Sequence, residues 1–360
     1  MKKVLTKAVA MTTICVLLLA SCGGNSQGGS AQNGTSSSGS EQPSSSSQQN
    51  TNAQAEYNFT IGTSATNDSA IGKTMRYAAD LIEERTGGRI KITCYPDSAL
   101  GSDAELVEGV QLNNVTMVIG NTAPQVTFVP DLALFDLPNT YNDITVAQTV
   151  LSGFTEKMAS SFDGTDLHLC QLFPTVFRYM SCNREIRTIG DFKDIRIRTM
   201  TNNNHMAYWN ALGAAATPLD FSELYIGLQQ SLVDAQENPL DIFLSSNFYE
   251  QQDYVINTKH LAFVATILMN QGVWDSLPAD LQATLNECFA EIGAYATQTA
   301  QDAEAENLKM VEEKGVTVIE LDEATIHQMR EAAAPVYEMV REAVGSELVD
   351  EYLAAIDAAA

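Results

Sequence analysis

After residue 56, the apolar positions of this chain recur with two distinct periods. Tyr57 to Thr63 alternates, with Phe59 and Ile61 on one side, which predicts a strand. Ile71, Met75, Ala78 and Ile82 recur at helical spacing. They predict a helix closed by Gly87-Gly88, because glycine reaches left-handed backbone at a helix end without a steric penalty. Arg89 to Tyr95, carrying Ile90 and Ile92, predicts a second strand. A helix capped by Ser102 or Asp103 follows through Leu112, and Val115 to Ile119 forms a third strand. Strand, helix, strand, helix, strand is the rhythm of a mostly parallel sheet covered by helices, an α/β fold.

The pattern changes near residue 167. Leu167 to Phe173 and Val176 to Cys182 read as two strands separated by Pro174, and Ile195 to Thr199 as another. Asp220 with Glu223 predicts a capping box that opens a helix through about Ser231, with Leu224 and Leu228 on one face. Pro278 to Glu313 reads as one Ala- and Glu-rich helix. At ~1.5 Å per residue it would exceed about 50 Å, longer than one domain and able to act as a spine across two. The chain shows no internal repeat.

The first 55 residues obey other rules. Lys2, Lys3 and Lys7 precede a short apolar stretch from Val9 to Leu19, the layout of a secretion signal. That stretch is too short to rest across a bilayer. Leu19-Ala20-Ser21-Cys22 matches a bacterial lipobox, in which Cys22 is acylated and becomes the first residue of the mature chain. Residues 1–21 are therefore read as a lipoprotein signal peptide. Residues 22–55 are Gly, Ser, Gln and Asn with almost no apolar side chains and are read as a flexible leash. Residues 56–360 form the folded part, long enough for two domains. The expected location is extracytoplasmic and lipid-anchored, with a leash suited to crossing a Gram-positive cell wall.

The formal charge of -25 argues against nucleic acid or an anionic membrane surface as a partner. It also makes one local feature conspicuous. Of ten arginines, Arg178, Arg184, Arg187, Arg196 and Arg198 lie within 21 residues. Such a gathering in an acidic chain suggests that an anion is held there, since a guanidinium grips a carboxylate through two parallel hydrogen bonds. In Asp194-Ile195-Arg196-Ile197-Arg198 the isoleucines fall on one face of a strand and the arginines on the other. Arg196 reads as a solvated surface residue. Arg198 ends the strand, where open α/β sheets place ligands. Downstream, Pro239 biases Asn238 toward extended backbone, which could hold its amide toward a cleft.

Catalytic readings find no support in the sequence. His168, His205, His260 and His327 are scattered without metal-ligand spacing, and no GxSxG, P-loop or GxGxxG pattern is present. Neither a metal nor a cofactor is expected. Cys94, Cys170, Cys182 and Cys288 show no CxxC spacing, and Cys170 and Cys182 could equally be paired or be two buried thiols.

Taken together, these segments resemble the extracytoplasmic solute-binding proteins of tripartite ATP-independent periplasmic (TRAP) transporters, the DctP-type family. The likeness runs from Gly87-Gly88-Arg89-Ile90-Lys91-Ile92 through Tyr95-Pro96, Leu100-Gly101-Ser102-Asp103, Phe135-Asp136-Leu137-Pro138, Asp191-Phe192-Lys193 and Ile197-Arg198. It is strongest over Thr217-Pro218-Leu219-Asp220-Phe221-Ser222-Glu223-Leu224-Tyr225 and Val233-Asp234-Ala235-Gln236-Glu237-Asn238-Pro239. Phe248-Tyr249-Glu250 and Trp274-Asp275-Ser276-Leu277-Pro278 extend it.

The resemblance implies a two-domain periplasmic-binding-protein-like (flytrap) fold with mixed, mostly parallel sheets and a long helix spanning both domains. Lobe I would hold about 56–174 and 264–300, and lobe II about 175–263 with the C-terminal helices. It implies that Arg198 clamps a ligand carboxylate with help from Asn238, and that Arg178 is a second cationic contact. Phe221 would pack on the ligand, Asn121 would sense its far end, and Ser64 and Asn67 would line the first loop. Asp103 and His260 could act through water, although a buried, satisfied histidine is the bottom-up reading of His260. The implied function is a monomeric, lipid-anchored receptor that hands a small organic acid to integral membrane subunits of a TRAP transporter. A module feeding a signalling receptor and an exported enzyme acting on a carboxylate are the alternatives. Departures from the family pattern at Asn139, Asp194, Ala216, Ala235 and Lys259 spare the clamp and leave the acid open among dicarboxylates, keto acids, sugar acids and aromatic acids; the coupling ion also stays open.

Overall fold

The computed structural model describes residues 55–360. The expected signal peptide, the acylation site Cys22 and the leash up to residue 54 lie outside the described residues. In the first half of the chain come β1 (Tyr57–Gly62), α1 (Ala70–Arg85), β2 (Ile90–Tyr95), α2 (Asp103–Gln111), β3 (Met117–Asn121), α3 (Ile144–Ser152), α4 (Phe154–Met158), β4 (Leu167–Phe177) and β5 (Tyr179–Cys182). There follow β6 (Arg196–Thr199), α5 (Asn203–Ala211), β7 (Ala215–Pro218), α6 (Phe221–Gln229), β8 (Ala235–Asn238), α7 (Leu240–Ser245), β9 (Tyr254–Asn257) and β10 (Ala262–Asn270). The chain closes with α8 (Gln271–Ser276), α9 (Ala279–Glu313), β11 (Thr317–Glu320), α10 (Glu323–Ala332), α11 (Ala334–Val344) and α12 (Ser346–Ala359).

Two mixed sheets result, ordered β2-β1-β3-β10-β4 and β11-β9-β5-β8-β6-β7. In the first, β1 runs parallel to β2 and β3, whereas β10 is antiparallel to β3 and β4. In the second, β6 is parallel to β7 and β8, and β5 is antiparallel to β8 and β9. The chain passes from one sheet to the other between β4 and β5, and back between β9 and β10. The two passages touch, since the Arg178 N–H donates to the Leu261 carbonyl at 3.0 Å.

Sequence pattern accounts for most of these elements. Ile71, Met75, Ala78 and Ile82 are all buried along α1, whose N-cap Ser69 accepts from the Gly72 N–H. Gly72 must be glycine, because a Cβ there would lie 2.3 Å from the Thr66 carbonyl oxygen. This close approach presses the loop after β1 onto α1. Strand β10 is buried throughout. Its Phe263, Ala265, Ile267 and Met269 join the core beneath α1 and α9, while Ala262, Val264 and Leu268 join the core under α2, α3 and α12. A strand sandwiched in this way reads as an unbroken apolar run.

Two expectations need correcting. Pro174 does not separate two strands: β4 runs through it to Phe177, and the break falls at Arg178. Strand β4 lies at the edge of its sheet, where a missing N–H is tolerated. The ladder shifts register opposite Pro174, and the Pro174 carbonyl accepts from Thr297 of α9 at 2.6 Å. Second, Asp220 precedes α6 without capping it through its side chain, because the Glu223 N–H bonds the Asp220 carbonyl instead. The C-terminal helices touch elements from several parts of the chain. Helix α10 packs on the turn at 189–192, α11 on both α5 and the 130–136 turns, and α12 on those turns and α3.

The long helix forms as the pattern predicts, over 35 residues. It packs against β4 and α1 of the first sheet and against α7 and β11 of the second. Cys170 and Cys182 are free and buried, in separate cores. Among the described residues, no helix is long and apolar enough to cross a membrane.

Candidate functional site

The C-terminal ends of parallel strands from both sheets converge on one cleft, the place where open α/β sheets offer side chains and backbone to a ligand. From the first sheet come Ser64 after β1, Asp103 at the start of α2, and Asn121 at the end of β3. From the second come Arg198 near the end of β6, Phe221 at the start of α6, and Asn238 at the end of β8. Ile71, Met200, Ile242 and Phe263 supply the apolar wall. The cavity they enclose is narrow, with about 30 Å³ of room for water.

Arg198 is the centre of this arrangement. Its side chain is 1% exposed, yet its one hydrogen bond to a described residue runs from Nε to the Leu219 carbonyl at 2.8 Å. The guanidinium carbon lies 5.9 Å from the Phe221 ring centroid, within reach of a cation–π contact. Both terminal nitrogens are left without a partner among the described residues. Burial pushes the Arg198 pKa down to about 10, against the attraction of Glu237 and Asp103. A desolvated guanidinium with two idle N–H edges is a prepared carboxylate site. Only Arg198 and Arg178 of the five clustered arginines are buried. Arg196 pairs with Asp234, Arg187 with Glu185, and Arg184 with backbone carbonyls, all at the surface.

Arg178 stands behind the cleft. It is also 1% exposed and forms a buried ion pair with Glu237 through Nε and, at 2.9 Å, through Nη2. Its Nη2 also donates to the Glu237 carbonyl at 2.6 Å and to Asn238 Oδ1 at 3.1 Å, and its guanidinium lies 5.3 Å from the Phe263 centroid. The charge expected to contact ligand is thus committed to Glu237, and what Arg178 does for the cleft is orient Asn238. The Asn238 Nδ2 donates one proton to Gln236 Oε1 at 2.6 Å, which leaves the other for the cavity.

Glu237 is the residue that sequence reasoning passed over, although a charged side chain inside the fully buried strand β8 signals a hidden partner. Burial opposes its ionisation, but Arg178 and His260 outweigh burial and hold its carboxyl well below the usual range. His260 Nε2 lies 2.9 Å from Glu237 Oε2, and Nδ1 lies 2.7 Å from Thr258 Oγ1. Burial lowers the His260 pKa despite Glu237. The ring is therefore neutral near pH 7, with Nε2–H donating to the carboxylate and Nδ1 accepting from Thr258. His260 is a satisfied core histidine and does not line the cavity.

On the facing wall, Asp103 Oδ1 accepts from Ser64 Oγ at 2.6 Å. Asp103 is in partial contact with the cavity but surrounded by protein, and this desolvation raises its pKa against the pull of Ser64 and Arg198. Asn121 Oδ1 accepts from the Ala123 N–H at 2.9 Å, so its Nδ2 is free to face the cavity. Asn67 is not brought to the site. It is exposed, its carbonyl groups engaged by Arg76 and its amide donating to Asp68, because the tight packing of Gly72 turns the loop outward beyond Ala65. Among the described residues no group of acids, histidines and cysteines could hold a metal ion.

The family model described as bacterial extracellular solute-binding protein, family 7 (DctP) matches residues 61–343. The chain belongs to this family. Among DctP-family relatives, a solute-binding protein of Verminephrobacter eiseniae is 34% identical over 272 residues, 74% of this chain and 81% of the relative. The C4-dicarboxylate-binding periplasmic protein DctP of Rhodobacter capsulatus is 29% identical over 287 residues, 78% of this chain and 86% of that one. The sugar acid binding protein DctPAm of Advenella mimigardefordensis, solved with galactonate, superimposes with a TM-score of 0.82 at 27% identity, covering 86% of this chain and all of that one. The flytrap fold of TRAP solute-binding proteins is thereby the fold of this chain, and its relatives are binding proteins rather than enzymes.

Proposed function

We propose that this DctP-family protein is a lipid-anchored extracytoplasmic receptor that captures a small organic acid through Arg198 and hands it to the membrane subunits of a TRAP transporter. The observation that supports this best is the buried Arg198, whose two terminal nitrogens have no hydrogen-bond partner among the described residues. Asn238, oriented by Arg178 and Gln236, adds a donor beside it, and Phe221 closes one side.

In this reading the two sheets belong to two lobes, about 56–174 with 264–300 and about 175–263, joined at Arg178 and at 258–261. The C-terminal helices bridge them. A carboxylate bound to Arg198 and to the Ser64–Asp103–Asn121 wall ties the lobes together, and expulsion of water strengthens the ion pair. Two charge-assisted hydrogen bonds at about 1.5–3 kcal/mol each, with a few neutral contacts, support micromolar binding, for which ~8 kcal/mol suffices. Acylation of Cys22 would keep the receptor beside its transporter.

A thermal-shift screen of the purified protein against small organic acids tests the reading. A ligand at 100 times its Kd stabilises by ~2.7 kcal/mol, a rise of several degrees in midpoint. Stabilisation by an acid supports the receptor; stabilisation only by neutral sugars or amines contradicts it. Replacement of Cys22 by Ser should release the protein from the membrane fraction, and retention there would remove the lipid anchor from the account.

A further inference from the structure

The cavity is electrically lopsided in a way that bears on what it can hold. Among the described residues that line it, Arg198 is the one cation, and the charge of Arg178 behind it is matched by Glu237. The facing wall carries Asp103, whose Oδ1 accepts from Ser64 at 2.6 Å and whose Oδ2 has no partner among the described residues. Gly120 leaves the space beside this carboxyl open, as even a Cβ there would stop 3.9 Å short of Oδ1. A neighbouring cavity of about 210 Å³ shares Asp103, Arg198 and Met200 with the cleft and adds Asp220 and Glu108. Apart from Arg198, every acidic or basic side chain among the described residues lining these two spaces is an acid.

A ligand whose carboxylate occupies Arg198 must therefore present its far end to Asp103. A second carboxylate would meet like charge with no cation to offset it, in a site where burial makes such a contact costly. An alkyl end would leave the free Asp103 oxygen and the Asn121 amide desolvated and unpaired, which a binding site penalises heavily. A hydroxyl satisfies both, because it donates to Asp103 and accepts from Asn121 Nδ2.

We infer that the ligand is a monocarboxylate bearing hydroxyl groups along its chain, an aldonate-type sugar acid, and that Asp103, with Asn121, selects it over dicarboxylates. This rests on the reading of Arg198 as the carboxylate clamp. Ser64 positions Asp103 by occupying one of its oxygens, so that the other is aimed at the ligand.

Titration calorimetry with length-matched acids tests the inference. Wild-type protein is titrated with aldonates of four to six carbons, with succinate, and with butyrate. The best aldonate should bind at least 30-fold more tightly than succinate or butyrate. Asp103→Asn, nearly identical in shape, should weaken the aldonate at least tenfold and strengthen succinate, so that the preference shrinks below threefold. Merely structural damage would weaken both acids together, and that result overturns the role of Asp103. If wild-type protein binds succinate or butyrate as tightly as any aldonate, or binds no aldonate at all, the inferred class is wrong. In the succinate or butyrate case, loss of binding in Arg198→Ala would show that the clamp itself survives. If neutral erythritol binds and no acid does, the clamp falls as well. The wild-type selectivity decides the substrate class without the variant.

Discussion

Replacing Glu237 with Gln isolates the charge that holds the back wall of the site together. The pair Arg178–Glu237 is among the most completely buried in the molecule, with side chains 1% and 0% exposed. Removing one partner of such a pair leaves the other charge buried and unmatched, which typically costs about 3–5 kcal/mol. Gln keeps the shape and one acceptor oxygen, so the lower figure, about 3 kcal/mol, applies here. Arg178 Nη1 is already buried without a partner among the described residues, so no acceptor there stands ready to compensate. At roughly 2 °C per kcal/mol for a chain of this size, the melting point should fall by about 6 °C. Urea unfolding followed by tryptophan fluorescence reads the change directly, because Trp209 packs 5.0 Å from the His260 ring that Glu237 holds. The midpoint should drop with an unchanged slope. Adding Arg178→Met should restore at least about 2 kcal/mol, since the two residues act as a unit. A loss below about 1 kcal/mol in Glu237→Gln, or strict additivity in the double variant, would refute this account of the back wall.

Other consequences reach further from the site. Burial pushes Glu304 on α9 up to about 7, with one oxygen bonded to Tyr179 and the other without a partner among the described residues. The folded state thus holds a proton that the unfolded chain releases near pH 4.3. That contribution is complete below pH 4.3 and is lost as pH rises through 7. Glu304→Gln should accordingly be neutral at pH 4 and stabilise by about 1–3 kcal/mol at pH 8 in thermal unfolding; an equal effect at both pH values would contradict the burial argument. In Gly72→Ala, helix propensity alone would add about 0.5–1 kcal/mol, but the Cβ collides with the Thr66 carbonyl, so denaturation should show a net loss. Peptide mapping without reduction should find no Cys170–Cys182 crosslink, because the two thiols sit on different strands in separate cores.

How much of this could be read from sequence depended on how local the determinant was. Helix α1, with four buried apolar residues at helical spacing, and α9, with no proline and a single glycine over 35 residues, declare themselves. Arg198 was legible because a strand end and the alternation Ile195-Arg196-Ile197-Arg198 fix its face. The alternation alone puts both arginines on one face; their strand positions separate them, and Arg196 is exposed on Asp234 while Arg198 is buried against the Leu219 carbonyl. The commitment of Arg178 to Glu237 was invisible for a similar reason, as the partners lie 59 residues apart. Pro174 misled because proline is read as a strand breaker, whereas edge position, which sequence does not reveal, makes it harmless. Asn67 looked equivalent to Ser64 until the close packing at Gly72 turned one outward and left the other at the cleft.

The most direct test of the central claim is calorimetric titration of Arg198→Ala with the acid that binds wild-type protein most tightly. Arg198 makes one backbone hydrogen bond and is desolvated in the free protein, so its removal should leave the melting point of the ligand-free protein nearly unchanged. Two charge-assisted bonds to the ligand should disappear, about 3–6 kcal/mol, weakening binding by at least 100-fold. Binding within threefold of wild type by a normally folded Arg198→Ala protein would show that the carboxylate is held elsewhere.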